Sequence, residues 1–411
     1  MAISPLHPAS ITPKQRELIG IARELGREKF YPRAREHDES NQFPYANYAD
    51  LTDAGFLGLT IPERYGGFGA DFETYALVSA ELARWCPPTA LTFNMHACSM
   101  MWSSQMADDL PMDVAERAAH EEARAGIYAK VLNDGSLFAQ PFSEPDSSAA
   151  AGKAAFATTA TPVAGGYRIN GIKHFASLSG AANYYSLVCT EARTDREPSP
   201  KDTIFLAVPS DAPGVSIFGD WNVVGMRPTD SRSLRFDDVF VSESLRLLPN
   251  GVYFQAAVQW PHMFMTLSPS YLGLSQAVFD FTVRYLRGEI DGAPPAGSAR
   301  RSAVKQMAVA EMRIKLEQAK ALFFRAITEA RPKPDKETRL RAYATQWTVM
   351  EYANDIARIG LRTCGGRALF KNFDIERWYR DSRCGALMLP WTAEICLERL
   401  GHESVFERGE K

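Results

Sequence analysis

"FATTATPVAGGYRINGIKHFAS", residues 156–177, breaks the pattern of the chain on either side of it. β-Branched and aromatic residues come in short spans here, with glycine between them, which is the chemistry of strands joined by turns. The Gly165-Gly166 pair predicts a hairpin turn within "VAGGYRING". The same texture continues in "YYSLVCTEA" (184–192), "DTIFLAVPS" (202–210), "GVSIFGD" (214–220) and "SLRFDDVFV" (233–241). Residues 133–246 therefore predict a central antiparallel β domain, a sandwich or a barrel rather than a parallel sheet.

Both flanks read as helix. In residues 1–132, "ITPKQRELIGIARELGREKF" (11–30) has apolar residues at helical spacing, with Thr12 as cap and Pro13 in the first turn. "DFETYALVSAELARWC" (71–86) starts a second helix at Asp71. The preceding turn "YGGFGAD" holds Gly66, Gly67 and Gly69 without the strand-then-helix setting of a nucleotide fingerprint, so it reads as a tight connection. In residues 247–411 the clearest helix covers 303–330, where Val309, Met312, Leu316, Ala319, Phe323 and Ile327 form one stripe. "DGAPPAGSARR" (291–301) is a loop. The fold class is α+β, with β between two helical regions.

The bulk numbers exclude more than they assign. A chain of 411 residues with 45% apolar and 23% charged residues has the composition of a globular protein with a sizeable core. A net charge of −3 offers no electrostatic footprint for nucleic acid or a membrane surface. "MAISPLHPASITPKQREL" lacks the basic then apolar pattern of a secretory leader, and no apolar run approaches the roughly 18 residues that cross a bilayer. Cys86, Cys98, Cys189, Cys364, Cys384 and Cys396 are scattered, with no metal-ligand spacing. They read as reduced structural thiols in a cytoplasmic protein, and no metal site is expected.

Five stretches in order carry a resemblance: "GFLGLTIPERYGGFG" (55–69), "FSEPDSS" (142–148), "YRINGIKHFASLSGAANYY" (167–185), "VVGMRPTDSRSLRFDDVFV" (223–241) and "RTCGGRALFKNFDIERWYRDSR" (362–383). Together they resemble the acyl-CoA dehydrogenase family over about residues 12–401. The resemblance implies an all-helical N-terminal domain, a central β domain and a C-terminal four-helix bundle. It also implies bound FAD, a homo-oligomer (dimer or tetramer) with cofactor contacts between subunits, and an acyl thioester as the small-molecule substrate. An electron-transfer flavoprotein or a flavin reductase is the implied redox partner.

The same resemblance places Phe142 and Ser143 at the flavin's pyrimidine edge, and Phe175 and Ser177 over the ring and near its N5 edge. Gly365 and Gly366 fall where the backbone approaches a neighbour's cofactor. Read on their own chemistry, Gly365-Gly366 could equally be a helix C-cap and Phe175 ordinary sheet core. The family's Gly-Ser-Asp phosphate run is replaced by Ser148-Ala149-Ala150, leaving Ser147 or Ser148 as the hydroxyl. Arg287 in "YLRGEIDG" is the nearest counterpart of a family arginine, with Arg300 and Arg301 further on.

The implied chemistry needs a base, because the α-proton must leave as hydride goes to the flavin. Counting from "YRD", the family's glutamate falls on Leu389, and the alternative position on the helix past the β domain falls on Met263. Neither takes a proton. Glu394, His262 and His96 are the remaining candidates, each of which also reads as an exposed helical acid or a satisfied histidine. Leu389, Pro390 and Trp391 form an apolar substrate wall. Three functions follow in this order: acyl thioester α,β-dehydrogenation; a flavin-dependent monooxygenase or oxidase, to which a dry lining is suited; and a non-redox acyl-CoA lyase or binding protein.

Overall fold

The computed structural model describes residues 5–146, 149, 154–251, 254, 260–295 and 299–406. The chain opens with α1 (Pro13–Leu25), whose Thr12 and Gln15 exchange side-chain and backbone bonds in a capping box. A π-helical turn, Gly26–Phe30, passes into α2 (Tyr31–Ser40), followed by α3 (Tyr45–Asp53). Asp71 caps α4 (Phe72–Trp85) by accepting from the Thr74 N–H at 2.8 Å. Helices α5 (Pro87–Met101) and α6 (Val114–Asp134) complete the first region.

Eight strands follow: β1 (Phe138–Ala139), β2 (Thr159–Val163), β3 (Gly166–Lys173), β4 (Tyr184–Glu191), β5 (Thr203–Pro209), β6 (Val215–Phe218), β7 (Ser233–Ser242) and β8 (Arg246–Leu248). They form one sheet in the order β6-β7-β3-β2-β4-β5-β8, with β1 against β4. Most pairings are antiparallel, as expected, but β1–β4 and β2–β4 run parallel. The β2–β3 hairpin turns on Ala164-Gly165 rather than on the expected Gly-Gly pair, because Val163 already pairs with Gly166. Gly165 takes the positive φ, +77°, that a two-residue turn requires.

The helices that return are α7 (Ser268–Leu286), α8 (Ala303–Thr328), α9 (Lys336–Cys364), α10 (Asp374–Ser382) and α11 (Ala393–Val405). The long α9 packs against α7, α8 and α11. Met312, Leu316, Ala319, Phe323 and Ile327 of the α8 stripe are buried, and Val309 is partly so. Helix α4 lies along α7, so the first and last helical regions share one apolar core. No helix among the described residues is long and apolar enough to cross a membrane.

One clamp fixes the β region against the helices. Arg380 pairs with Asp38 of α2 at 2.5 and 3.0 Å and also donates to the Val224 carbonyl. The next residue, Asp381, accepts from the Met226 N–H at 2.6 Å. Gly225 lies so close to α10 that a Cβ there would sit 2.3 Å from the Arg380 carbonyl oxygen. The second Asp381 oxygen is buried without a hydrogen-bond partner. Burial pushes its carboxyl up to about 7, with the Asp38 charge adding to the rise against the Met226 bond and two arginines. A carboxyl raised in the folded state contributes stability that is complete below about pH 4 and is lost as pH climbs through 7. Asp381→Asn is therefore expected to gain on the parent progressively between pH 5 and 8 in thermal melts. Parallel melting curves for the two proteins would contradict the assignment.

Candidate functional site

At the end of β3 the chain leaves the sheet through an unusual turn. The His174 N–H donates to the Ser143 carbonyl at 2.8 Å, an isolated bridge that fastens the "FSEP" segment to the strand. Phe175 and Leu178 both have positive φ, +53° and +65°, rare for bulky residues and held here by the Ala176 N–H to Arg232 and the Leu178 N–H to Thr229 bonds. This turn leaves the Phe175 ring 67% exposed, with Trp221 against its edge at 6.3 Å. It is not sheet core. Ser177 turns inward, 2.8 Å from Ser231 Oγ, which is 2.8 Å from Thr229 Oγ1.

Beneath Ser143 lies a buried ion pair. Glu144 accepts from Lys173 Nζ at 2.9 Å and from the Ala157 and Thr158 N–H groups at 2.7 and 2.9 Å. Burial alone would raise the Glu144 carboxyl, but Lys173 and those N–H groups hold it below the usual range. Lys173 also sits 4.3 Å from the Phe156 ring centre.

A chain of rings then crosses the molecule. Phe142 meets Trp102 at 5.6 Å, Trp102 meets Phe264 at 5.8 Å, Phe264 meets Trp391 at 6.0 Å, and Trp391 packs on Tyr343 at 4.6 Å. These five residues join the "FSEP" segment, the end of the first helical region and the C-terminal bundle. Leu389 and Pro390 are partly buried beside buried Trp391, and the bond between them is cis. Met263, next to Phe264 in the chain, is buried. No carboxylate stands at either position where the resemblance sought a base.

The other candidates separate clearly. His96 is corrected to a structural role: its Nε2 bonds the Leu57 carbonyl at 2.9 Å and its Nδ1 accepts from the Phe138 N–H. Both nitrogens are committed, and burial holds its pKa down to about 4. Glu394 is exposed in the first turn of α11, three residues past Trp391. His262 is fully buried, yet among the described residues neither ring nitrogen has a hydrogen-bond partner, and burial lowers its pKa to about 4. Ser148 and Ser147 lie outside the described residues.

Gly365 and Gly366 end α9, Gly365 with φ +88° and its N–H on the Leu361 carbonyl, so the C-cap reading holds. Nothing lies within contact of a Cβ at either glycine. Arg367 bonds the Gly292 carbonyl, which brings this turn beside the Arg287 loop, where half-exposed Arg287 faces Glu289 at 3.8 Å. Gly365 and Gly366 therefore lie on a turn tied by Arg367 to the loop that follows Arg287.

Three matches bear on this arrangement. Residues 12–107, 139–239 and 262–399 match the descriptions "Acyl-CoA dehydrogenase, N-terminal domain", "middle domain" and "C-terminal domain". The chain belongs to the acyl-CoA dehydrogenase family. It is 25% identical over 368 residues to the human mitochondrial short-chain specific acyl-CoA dehydrogenase, covering 89% of this chain and 84% of that one. Among solved structures, butyryl-CoA dehydrogenase of Megasphaera elsdenii superposes with a TM-score of 0.80 at 20% identity over 97% of this chain and 100% of that one. The dibenzothiophene monooxygenase TdsC of Paenibacillus sp. A11-2 superposes with a TM-score of 0.77 at 21% identity over 94% and 96%. The family fold thus houses both chemistries. Ser231, Thr229, Trp102, Phe264 and Tyr343 carry no sequence periodicity that would have marked them beforehand.

Proposed function

We propose that this member of the acyl-CoA dehydrogenase family is a flavin-dependent enzyme that oxygenates an apolar small molecule with reduced flavin and O2. The observation that carries the reading is the pair Leu389 and Met263, which put hydrocarbon where a dehydrogenase of this family needs its base. The residues present suit a flavin, FAD by family: the Phe175 ring is open for stacking, and the Ser143 backbone is fixed beside it. Bound flavin in its reduced form supplies two electrons, so that one oxygen atom enters the substrate and the other leaves as water. The protein's share is positional. The wall from Phe142 to Trp391 keeps water from the reacting atoms, and Trp391 bounds the space for substrate. Reduced flavin would be delivered by a flavin reductase. The open turn at Gly365-Gly366 with Arg287 supports a role in completing the cofactor site of a second copy.

Dehydrogenation of an acyl thioester is the second reading, favoured by His262. Its imidazole, next to Met263, is kept neutral and among the described residues has no partner on either nitrogen, so a lone pair is open to a proton, while the same burial weakens it as a base and ranks this reading second. One experiment separates the two. Flavin-loaded protein is mixed without oxygen with a panel of acyl-CoA thioesters, and the long-wavelength flavin band is followed. The expected result is no bleaching, with an oxygenated product formed only when reduced flavin, oxygen and an apolar substrate are supplied together. Rapid anaerobic bleaching by any thioester would overturn the oxygenase reading.

A further inference from the structure

The hydroxyls behind the flavin site form a chain whose direction can be worked out. Thr229 Oγ1 lies 2.8 Å from the Met226 carbonyl oxygen, which can only accept, so the Thr229 hydrogen points there. Thr229 Oγ1 then has only lone pairs left for Ser231, 2.8 Å away, and Ser231 must donate to it. With that hydrogen used, Ser231 can only accept from Ser177 at 2.8 Å. Ser177 spends its single hydrogen inward and has only lone pairs for whatever lies on its other side. The chain starts on a fixed residue, because the Met226 N–H is held by Asp381.

We infer that Thr229 and Ser231 are positioning residues that make Ser177 an obligate acceptor, and that the site thereby selects reduced over oxidised flavin. The inference rests on the flavin reading above, with Ser177 beside the N5 edge. Reduced flavin carries an N–H at N5 and can donate to Ser177. Oxidised flavin presents a lone pair there, and two acceptors facing each other in a buried site lose the bond and repel. A raised potential eases reduction of the flavin whichever donor supplies the electrons, so the inference concerns the bound cofactor rather than the choice between the two chemistries.

The test is the dissociation constant of oxidised and of anaerobically reduced flavin, measured for the parent, Ser231→Ala and Thr229→Val. The parent is expected to hold reduced flavin at least roughly tenfold more tightly, which corresponds to a midpoint potential of the bound flavin raised by about 30 mV over free flavin for a two-electron couple. In either variant Ser177 is free to donate outward, and the preference is expected to fall towards unity. Ser177→Ala serves as the control that removes the acceptor itself, and unfolding curves of each variant verify that it is folded. Equal affinity of the parent for the two forms, or an undiminished preference in both folded variants, overturns this inference alone. Failure of the parent to bind flavin in either form overturns the flavin reading and this inference with it.

Discussion

Replacing Lys173 by methionine is expected to cost about 3–5 kcal/mol and to empty the flavin site. Lys173 and Glu144 are both buried, and the Glu144 carboxylate rests on three donors, one of them the ammonium group. Removing the lysine strands a charge in a dry interior, the costly way to break such a pair. The damage would not stay local. Glu144 follows Ser143 and Lys173 precedes His174, and the Ser143–His174 bridge is what sets the site's edge against β3. The expected readouts are an earlier urea midpoint and flavin lost from the purified protein. The double variant Lys173→Met with Glu144→Gln, which removes the stranded charge, is expected to regain a large part of the stability. A single variant that loses under about 1 kcal/mol would show that the pair does not hold this edge of the fold.

Trp391→Ala is the second large effect. Trp391 is buried against Tyr343 and Phe264, and its carbonyl accepts from Gln346 Nε2 at 3.3 Å. Truncating a tryptophan in such surroundings typically costs about 3–5 kcal/mol, through lost transfer energy and the cavity left behind. That loss alone would not separate packing from function. Trp391→Phe keeps most of the volume and is expected to fold with a much smaller loss. Its substrate range should then broaden towards larger apolar molecules, read as a change in the ranking of kcat/KM across a size series. An unchanged ranking in the folded phenylalanine variant would assign Trp391 to core packing.

The fold was legible because its signals are local. Thr12 and Asp71 announce helix starts by their own side chains, and the α8 stripe repeats every turn. The hairpin was legible too, though its turn slipped by one residue, since Gly165 and Gly166 are equally permissive and only the pairing with Val163 decides between them. In the candidate site, Phe175 and Ser177 share one short turn, so a single segment names both. The site was not legible where partners come from distant segments. Ser177 meets Ser231 across 54 residues, and a serine in a loop gives no hint of which way its hydrogen points. His96 could not be assigned to structure from sequence, because its partners are main-chain groups of Leu57 and Phe138, which have no side-chain signature. Trp102 and Phe264 carry no local signal, because in sequence a ring that walls a site and a ring that fills a core look the same.

The clamp at Arg380 and Asp381 has a consequence for biosynthesis. Its partners Asp38 and Met226 are made first, and Arg380 follows Asp38 by 342 residues. A ribosome adding roughly 5–20 residues per second needs tens of seconds to cover that span. From Ser231 onward within that span, the nascent chain holds Phe175, Ser177 and the hydroxyls behind them without the helix that fixes Met226. The candidate cofactor site is therefore finished late, long after the last strand of the sheet, by one of the last helices to emerge.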